Sequence, residues 1–312
     1  MFPQGKILIL TFLIISLIGN IVLFLFWEHD SQMGQHFTIL KNKYPFLSQR
    51  VLLEDYTNDF INNFLPLRQQ LHTMIDPYAD SFAIYFEYLP TGTSIGINED
   101  TNFTAASLLK VPVVMAYLYK KESMGLTKDP TVEITAQEVN KKFGTLYKKG
   151  AGYQINLKDA VSLALQKSDN TASLVLADNI SDSDFEHVYE GLDIPLALKG
   201  DSPIISAIQY TSVLKALYFA SILNRDDSEA ILHMLTRTDF HDMLPHGLPT
   251  NLPVAHKIGL IDKQIYSDCG IVYVPNRPYA LCMISKSDRT IARERMSAIS
   301  QVIYTYVAGY KD

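Results

Sequence analysis

Cysteine is scarce in this sequence, and long basic runs are missing. Two cysteines among 312 residues are too few for a disulfide-rich scaffold or a structural zinc site, and Cys269 and Cys282 lack the spacing of a C-x-x-C redox pair. The 27 basic and 33 acidic residues give a net charge of −6, with no Lys/Arg run to neutralise phosphates. Nucleic acid is therefore not expected as a partner. Hydrophobic residues make up 47% of the chain, enough for a sizeable core, which excludes a disordered or fibrous protein.

One long hydrophobic run is present, at the N-terminus. Residues 7–27 include no charged side chain, and a helix of that length, at about 1.5 Å rise per residue, spans the ~30 Å hydrocarbon core of a bilayer. A cleaved signal peptide has a shorter apolar stretch and a small-residue cleavage site. The run therefore predicts an uncleaved transmembrane signal anchor. Lys6 before it and Glu28 and Asp30 after it favour a cytoplasmic tail of residues 1–6 and an extracytoplasmic position for the rest.

The remainder of the chain divides into a polar linker and one globular domain. Residues 28–55 are mixed and polar and predict a stalk, whereas residues 56–312 predict the domain. Strand-forming residues at Phe82–Leu89 lead through a Pro-Thr-Gly turn into Thr93–Ile97. Residues 125–245 have the pattern of helices broken by Gly and by Asp/Ser turns, which predicts a helical subdomain.

Strand patterns return only near Val254. Three short strands and a C-terminal helix are predicted in the last part of the chain, at Val254–Ile258, Ser267–Val274, Tyr279–Ile284 and Thr290–Ala308. Two early strands, a helical insert and three late strands predict an α+β fold with α/β/α layers. In that fold an antiparallel sheet is flanked by helices and carries the all-helical subdomain at one end.

Two serine motifs are candidates for a nucleophile, and the first contains Ser94. The segment Gly-Thr-Ser-Ile-Gly around it matches G-x-S-x-G, but that motif activates a serine only between a strand and a helix. Ser94 lies instead in the predicted hairpin, and no helix follows. The pattern therefore disfavours an esterase built on Ser94.

The second motif places Ser107 and Lys110 at the start of a helix. Residues three apart share a helix face, so the amine lies near the hydroxyl. The helix is apolar nearly all round from Val111 to Leu118, so Lys110 is expected to be buried. Burial lowers the pKa of a lysine, which lets its amine act as the general base for a serine hydroxyl. The helix N-terminus also offers free backbone N–H groups to an oxyanion.

Two further motifs follow Ser107 and Lys110 along the chain. Ser168-Asp169-Asn170 lies between two predicted helices, and His256-Lys257-Ile258-Gly259 lies on a predicted strand. S-x-x-K, S-D-N and K-T-G are the motif set of class A β-lactamases and penicillin-binding proteins. From about residue 75 to its end the chain resembles this active-site serine family. The resemblance implies acyl transfer without a cofactor, with a β-lactam or the D-Ala-D-Ala end of a peptidoglycan stem peptide as substrate.

The resemblance also implies a role for each catalytic residue. Ser107 would be the acylated nucleophile and Lys110 the base that activates it. Ser168 would pass a proton to the leaving nitrogen of the substrate. Lys257 would lie beside Ser168, where its positive potential would favour a substrate carboxylate and help keep Lys110 neutral.

Substrate binding is implied for three other residues. Asn170 would hold the amide carbonyl of the substrate, and Gly259 and Leu260 would line it on the strand after Lys257. The backbone N–H groups of Ser107 and Leu260 would form the oxyanion hole. Asp169 is expected to be structural, as a helix cap, rather than a participant in the chemistry.

The chain departs from the family pattern at two places. Ile258 stands where the family has Thr or Ser, so a hydroxyl that would bind the substrate carboxylate is missing. Losing one charge-assisted hydrogen bond weakens recognition by about 1.5–3 kcal/mol, unless the natural substrate presents another group there. The Glu that the family uses for deacylation is also missing. Residues 201–214, where it would be expected, contain one carboxylate, Asp201, and no Glu. Acylation is therefore better supported than turnover.

A metal site and a disulfide are weaker hypotheses. Five acidic and histidine residues are near one another in sequence but match no zinc pattern, so no metal is expected: Asp239, His241, Asp242, His246 and His256. In a hairpin centred on Pro275-Asn276, Cys269 and Cys282 face each other on adjacent strands. Opposed Cβ atoms lie ~4.5–5.5 Å apart, more than the ~3.8 Å of a disulfide, so two buried thiols are favoured and a disulfide remains open.

Together these patterns predict a membrane-anchored, extracytoplasmic serine hydrolase that forms an acyl-enzyme on Ser107. Two alternatives remain open. One is a penicillin-binding D,D-peptidase that deacylates β-lactams slowly, and the other is a non-catalytic cell-wall binding module. Ile258 and the missing Glu favour the binding module, whereas the two intact motifs that contain Ser107 and Ser168 oppose it.

Overall fold

The computed structural model describes residues 64–195, 197–199, 202–261 and 264–309, together with parts of the N-terminal region at 16–20, 22, 24, 27–28, 38–39 and 41–46. The chain divides into two compact units, Met1–Tyr56 and Thr57–Asp312. Most of the predicted anchor at residues 7–27 lies outside the described residues. Among the residues that are described, no helix combines the length and the apolar character needed to cross a membrane.

An antiparallel five-stranded sheet forms the centre of the second unit. Its strands are β1 (Phe82–Tyr88), β2 (Thr93–Ile97), β8 (Val254–Ile261), β9 (Ile265–Val272) and β10 (Tyr279–Lys286), in the order β2-β1-β10-β9-β8. The two early strands and the three late strands match those predicted, so residues far apart in sequence complete one sheet. Strand β8 lies at its edge and has a neighbour on one side.

Two terminal helices pack on one face of this sheet. Helix α1 (Leu65–Ile75) and helix α8 (Arg289–Gly309) share one hydrophobic cluster with the inward residues of the strands. The alternation of side chains along each strand assigns Phe82, Phe86 and Ile258 to this face. The predicted C-terminal helix is therefore present, and the sequence pattern placed its start and end within one residue.

Helix α6 (Ala207–Tyr218) packs on the other face, which completes the α/β/α layers. Ser206 caps it in a capping box, because its hydroxyl accepts from the Gln209 N–H and the Gln209 side chain accepts from the Ser206 N–H. The Nζ atom of Lys215 lies 2.7 Å from the carboxylate of Glu87 on β1. The predicted layered α+β architecture is confirmed.

Helices dominate the segment between β2 and β8, as predicted. Besides α6 they are α2 (Lys110–Ser123), α3 (Leu157–Gln166), α4 (Asn170–Asp178), α5 (Asp182–Gly191) and α7 (Arg225–Leu235). Three short 3₁₀ turns occur at Asp76–Ser81, Ala106–Leu109 and Leu146–Lys149.

The expectation that strands return only near Val254 is wrong. Between β2 and Val254 the described residues form five short strands in small antiparallel sheets: β3 (Phe103–Thr104), β4 (Thr131–Glu133), β5 (Gln154–Asn156), β6 (Ala197–Lys199) and β7 (Ser202–Ile205). Each has two to four residues. A strand that short carries too few alternations to be recognised by its hydrophobic period, so only pairing with a distant segment defines it.

The predicted opposition of the two cysteines is confirmed, but the preference for free thiols is wrong. Cys269 on β9 pairs in register with Cys282 on β10, and a disulfide joins them. Their Cα atoms lie 3.9 Å apart, closer than the ~4.5 Å between the Cα atoms of an ordinary non-hydrogen-bonded antiparallel pair. Both residues are fully buried.

Candidate active site

Ser107 lies in a 3₁₀ turn that leads directly into α2. The residue before it, Ala106, has a φ of +49°, in the left-handed region that is costly for a side chain with a Cβ atom. The α-helix itself begins at Lys110, later than the sequence predicts, because residues Ala106–Leu109 form the tighter 3₁₀ turn. Ser107 is partly exposed, so its hydroxyl can be reached by a substrate.

Lys110 lies at the centre of the hydrogen-bond network of the site. Its Nζ donates to Ser107 Oγ at 2.7 Å and to Asn170 Oδ1 at 2.7 Å, and lies 3.4 Å from Ser168 Oγ. The side chain is buried, as predicted, and burial lowers the pKa of its amine to about 8, against the opposing charge of Asp169. A substantial fraction of the amine is therefore neutral in mildly alkaline solution and able to accept a proton.

The Ser168-Asp169-Asn170 segment connects α3 to α4. Ser168 is buried and adopts a φ of +54°, which turns the chain sharply between the two helices. Asp169 caps α4 by accepting from the Ala172 N–H at 3.0 Å, which confirms the predicted cap. Its second carboxylate oxygen accepts from two backbone N–H groups of the preceding loop, those of Thr145 at 2.6 Å and Leu146 at 2.8 Å.

Gly144 makes this arrangement of the loop possible. Its φ is +91°, and a Cβ atom at this position would overlap the carboxylate of Asp169. The loop can therefore approach Asp169 only with a glycine here. Asp169 thus acts as a structural anchor between the loop and α4, in addition to being a cap.

Lys257 on β8 approaches Ser168 from the sheet. Its Nζ donates to Ser168 Oγ at 2.8 Å and to the Ile258 carbonyl at 3.2 Å, and lies 5.8 Å from the centre of the Phe240 ring. The side chain has no exposed surface. Burial and the charge of Lys110 hold the pKa of Lys257 well below its usual value, although Asp268 opposes this.

Gly259 brings β8 against the turn that carries Ser107. A Cβ atom on Gly259 would overlap Ser267 Oγ and would lie 3.5 Å from the Ala105 carbonyl. Leu260 follows on the same strand, with a side chain 41% exposed. The two backbone N–H groups predicted as an oxyanion hole, those of Ser107 and Leu260, therefore belong to two segments that lie side by side.

Ile258 points away from this site. Its side chain is 7% exposed and belongs to the hydrophobic cluster under α1 and α8, on the sheet face opposite that of Lys257. Ser94 lies within β2, opposite Glu87, in the hairpin that the sequence predicts. Asp201, the sole carboxylate in the segment where the family has its deacylating Glu, lies outside the described residues.

Asn140 is a site residue that sequence reasoning missed. Its Oδ1 accepts from Asn170 Nδ2 at 3.2 Å and from the Lys142 N–H at 3.0 Å, and its backbone N–H donates to Thr171 Oγ1 at 2.9 Å. This contact orients the Asn170 amide so that its oxygen faces Lys110. No motif marks Asn140, because it lies in a loop thirty residues before its partner.

Two aromatic residues, Phe143 and Phe240, were also missed. Their ring centres lie 5.9 Å apart, and both side chains are partly exposed. The Phe143 carbonyl accepts from the Asn170 N–H at 3.1 Å, which ties this ring to the S-D-N segment. Isolated phenylalanines in loops carry no signal of their own in a sequence.

Most of the residues weighed as metal ligands bind to different partners. His256 shares hydrogen bonds with Asp268 at 2.7 Å and with Thr238 at 2.8 Å, all three being buried. Three of the other four form pairs elsewhere: Asp239 with Lys167, Asp242 with Arg289, and His246 with Ser297. Within the described part of the chain, no cluster of His, Cys, Asp and Glu could hold a metal ion.

Solved structures with the same fold include both penicillin-binding proteins and β-lactamases. PBP-A is similar with a TM-score of 0.73 and 21% identity, over 79% of this chain and 97% of that one. A β-lactamase from Sphaerobacter thermophilus has a TM-score of 0.71 and 16% identity, over 80% and 99% of the two chains. A class A β-lactamase from Mycobacterium abscessus has a TM-score of 0.69 and 17% identity, over 76% and 97%. A variant of PBP-A forms an acyl-enzyme complex with penicillin G.

The sequence itself points to the same family. No match is found among curated proteins. Residues 66–307, well over half of the chain, match the profile of the β-lactamase enzyme family. This protein therefore belongs to the β-lactamase enzyme family and is a serine hydrolase.

Proposed function

We propose that this protein forms an acyl-enzyme on Ser107 with a β-lactam or with the D-Ala-D-Ala end of a peptidoglycan stem peptide. The observation that carries the proposal is the 2.7 Å contact between Lys110 Nζ and Ser107 Oγ. A buried amine with a pKa of about 8, in direct contact with a partly exposed hydroxyl, is the arrangement that serine activation by a lysine needs.

The proposed step moves one proton from Ser107 to the leaving nitrogen. Neutral Lys110 Nζ takes the proton of Ser107 as Oγ bonds to the acyl carbon. The acyl C–N bond then breaks, and the nitrogen takes the proton of Ser168 Oγ. Lys110 Nζ, 3.4 Å from Ser168 Oγ, returns a proton to Ser168. Lys257, which donates to Ser168 Oγ at 2.8 Å, fixes that hydroxyl in place throughout.

Asn170 and the two backbone N–H groups complete the proposed site. Asn170 Oδ1 accepts from Lys110, and its amide nitrogen donates one hydrogen to Asn140, so the second hydrogen can be donated to a substrate carbonyl. The N–H groups of Ser107 and Leu260 would stabilise the oxyanion of the tetrahedral intermediate, with Gly259 allowing the close approach of their two segments.

Slow deacylation of β-lactams, as in a penicillin-binding D,D-peptidase, is part of the proposal. Residues 202–214 support this part, because they include no carboxylate that could activate water. The acyl-enzyme that a PBP-A variant forms with penicillin G agrees with it. The membrane anchor at residues 7–27 and an extracytoplasmic position of the domain are proposed from the sequence, and they would place the site beside peptidoglycan.

The test is incubation of the protein with benzylpenicillin, with the intact mass and the loss of antibiotic followed over minutes to hours. We expect a persistent adduct on Ser107 with little antibiotic consumed, and no adduct on the Ser107→Ala variant. Rapid multiple turnover would identify an efficient β-lactamase instead. Labelling that survives Ser107→Ala, or no covalent adduct at all, would overturn the proposal.

A further inference from the structure

The loop segment formed by residues 140–143 is bound to Asn170 at both of its ends. Asn140 Oδ1 accepts from Asn170 Nδ2 at 3.2 Å, and the Phe143 carbonyl accepts from the Asn170 N–H at 3.1 Å. The two residues between these contacts are Lys141 and Lys142, and the Lys142 N–H also donates to Asn140 Oδ1 at 3.0 Å. The backbone of both lysines is therefore held beside the residue that, in the proposed function, binds the acyl-side carbonyl of the substrate.

The side chains of Lys141 and Lys142 are both exposed. Within the described part of the chain, neither of them forms an ion pair with an acidic side chain. A lysine amine is a compact charge on a flexible four-carbon stem, so its position can adjust to a ligand. The two amines can therefore reach an anionic group on a molecule that is bound at Asn170.

The stretch of sequence around these two lysines is basic, although the whole chain has a net charge of −6. Residues 139–158 include five lysines and no Asp or Glu. Glu138, just before this stretch, is 3% exposed, and its carboxylate accepts from the Thr135 N–H. Asp169 is fully buried, and its carboxylate accepts from three backbone N–H groups. Because the backbone engages these two carboxylates, the positive potential beside Asn170 is left for a ligand.

We propose that Lys141 and Lys142 bind a carboxylate on the acyl side of the substrate, next to the carbonyl that Asn170 holds. The acyl donors selected in this way are penicillins with an acidic side chain, or a stem peptide with a free carboxylate on the residue before D-Ala-D-Ala. An anion at this place is attracted by two ammonium groups, whereas a cation is repelled. This carboxylate is separate from the one on the leaving group. The inference rests on the proposed acylation of Ser107 and on the proposed role of Asn170.

The test uses three penicillins that differ in one substituent on the acyl side chain. On the carbon next to the side-chain amide carbonyl, carbenicillin carries a carboxylate, benzylpenicillin a hydrogen and ampicillin an amine. Second-order rates of Ser107 acylation are measured by intact mass at about pH 6.5, below the usual pKa of an α-amine, so that the three side chains are anionic, neutral and cationic. We expect carbenicillin to react about fivefold faster than ampicillin, or more, at low salt. Added salt should reduce this preference, because it screens exposed charges.

Variants of the two lysines connect this preference to them. In the double variant Lys141→Gln/Lys142→Gln, we expect the carbenicillin-to-ampicillin rate ratio to fall by about fivefold. Lys141→Glu/Lys142→Glu should reverse the preference in favour of ampicillin. The matched control is Lys148→Gln/Lys158→Gln, which removes two exposed charges from the same basic stretch and should keep the ratio. Thermal unfolding shows that each variant is folded.

Three results would overturn this inference. The first is a wild-type protein that ampicillin acylates at least as fast as carbenicillin does. The second is a rate ratio that Lys141→Gln/Lys142→Gln leaves unchanged, and the third is an equal fall of the ratio in the control variant. In each case a benzylpenicillin adduct on Ser107 would leave the proposed acylation standing. Failure of all three penicillins to label Ser107 would overturn the two proposals together.

Discussion

Two buried lysines meet at Ser168, and they differ in what else they contact. Lys110 Nζ reaches two partly exposed side chains, Ser107 and Asn170, at 2.7 Å each. Lys257 Nζ is enclosed by Ser168, a backbone carbonyl and the Phe240 ring. Burial lowers the pKa of both amines, but of the two only Lys110 contacts Ser107. In the proposed function, this contact, added to burial, makes Lys110 the base and leaves Lys257 a support for Ser168.

Replacing Lys110 is the strongest test of this difference. Lys110→Ala removes the base, and we expect the rate of Ser107 acylation to fall by about 10²- to 10⁴-fold. The stopped-flow or mass-based acylation rate with benzylpenicillin is the measurement. Lys148→Ala, at an exposed lysine in the 3₁₀ turn Leu146–Lys149, is the control and should leave the rate unchanged. A folded Lys110→Ala protein that acylates at the normal rate would contradict the assignment.

Replacing Lys257 should slow acylation less than replacing Lys110. Lys257→Met keeps the length of the side chain but removes the hydrogen bond to Ser168, so proton transfer to the leaving nitrogen loses its support. We expect acylation to slow by roughly tenfold to a hundredfold, the equivalent of about 1.5–3 kcal/mol in the barrier. If this variant acylated as slowly as Lys110→Ala, the two lysines would contribute equally to acylation, which would contradict their different roles.

The pH dependence of acylation reports the pKa of Lys110 directly. Below about pH 8 the amine is protonated and cannot accept the proton of Ser107, so the rate should rise with pH and level off above that value. Between pH 7 and pH 9 the gain should be about tenfold. Initial acylation rates across this range provide the profile, with Lys110→Ala expected to lose the rise. A wild-type rate that falls as pH increases would exclude a neutral Lys110 as the base.

The smallest effect is expected at Asn140, which acts through Asn170. Asn140→Leu removes the hydrogen bond from Asn170 Nδ2, together with the one from the Lys142 N–H, and through the loss of the first the acylation rate should fall by roughly threefold to tenfold. Asn140→Asp keeps the acceptor oxygen and should recover most of the rate, which a purely structural loss would not do. The two variants are compared by acylation kinetics and by thermal unfolding. Equal losses in both would show that Asn140 does not position Asn170 through this contact.

The motifs explain why much of the site could be predicted. Ser107 and Lys110 are separated by about one helical turn, so local geometry alone brings their side chains together. Asp169 directly precedes the helix that it caps, so its role as a cap also follows from local geometry. The facing positions of Cys269 and Cys282 follow from the centre of one hairpin. In each case the partners are close in sequence, and regular secondary structure fixes their separation.

The contact between Phe143 and Phe240 and the position of Asn140 could not be predicted in this way. Phe143 and Phe240 lie in loops almost a hundred residues apart, and they meet only through tertiary packing. The short strands β4 and β5 were missed for the same reason, since each exists only through its pairing with the other. Ile258 was recognised as a departure, but its burial under the terminal helices required the sheet register.

The sequence by itself determined the strands and helices with strong hydrophobic periods, the order of the three motifs and the separation of Ser107 from Lys110. These properties depend on neighbours within a few residues, where backbone geometry is fixed by hydrogen bonding and side-chain pattern. Tertiary structure alone decided that Lys110 and Lys257 both reach Ser168 while only Lys110 contacts Ser107. That distinction comes from packing between a helix, a loop and a distant strand, because burial and long-range contacts set the pKa and partners of each amine.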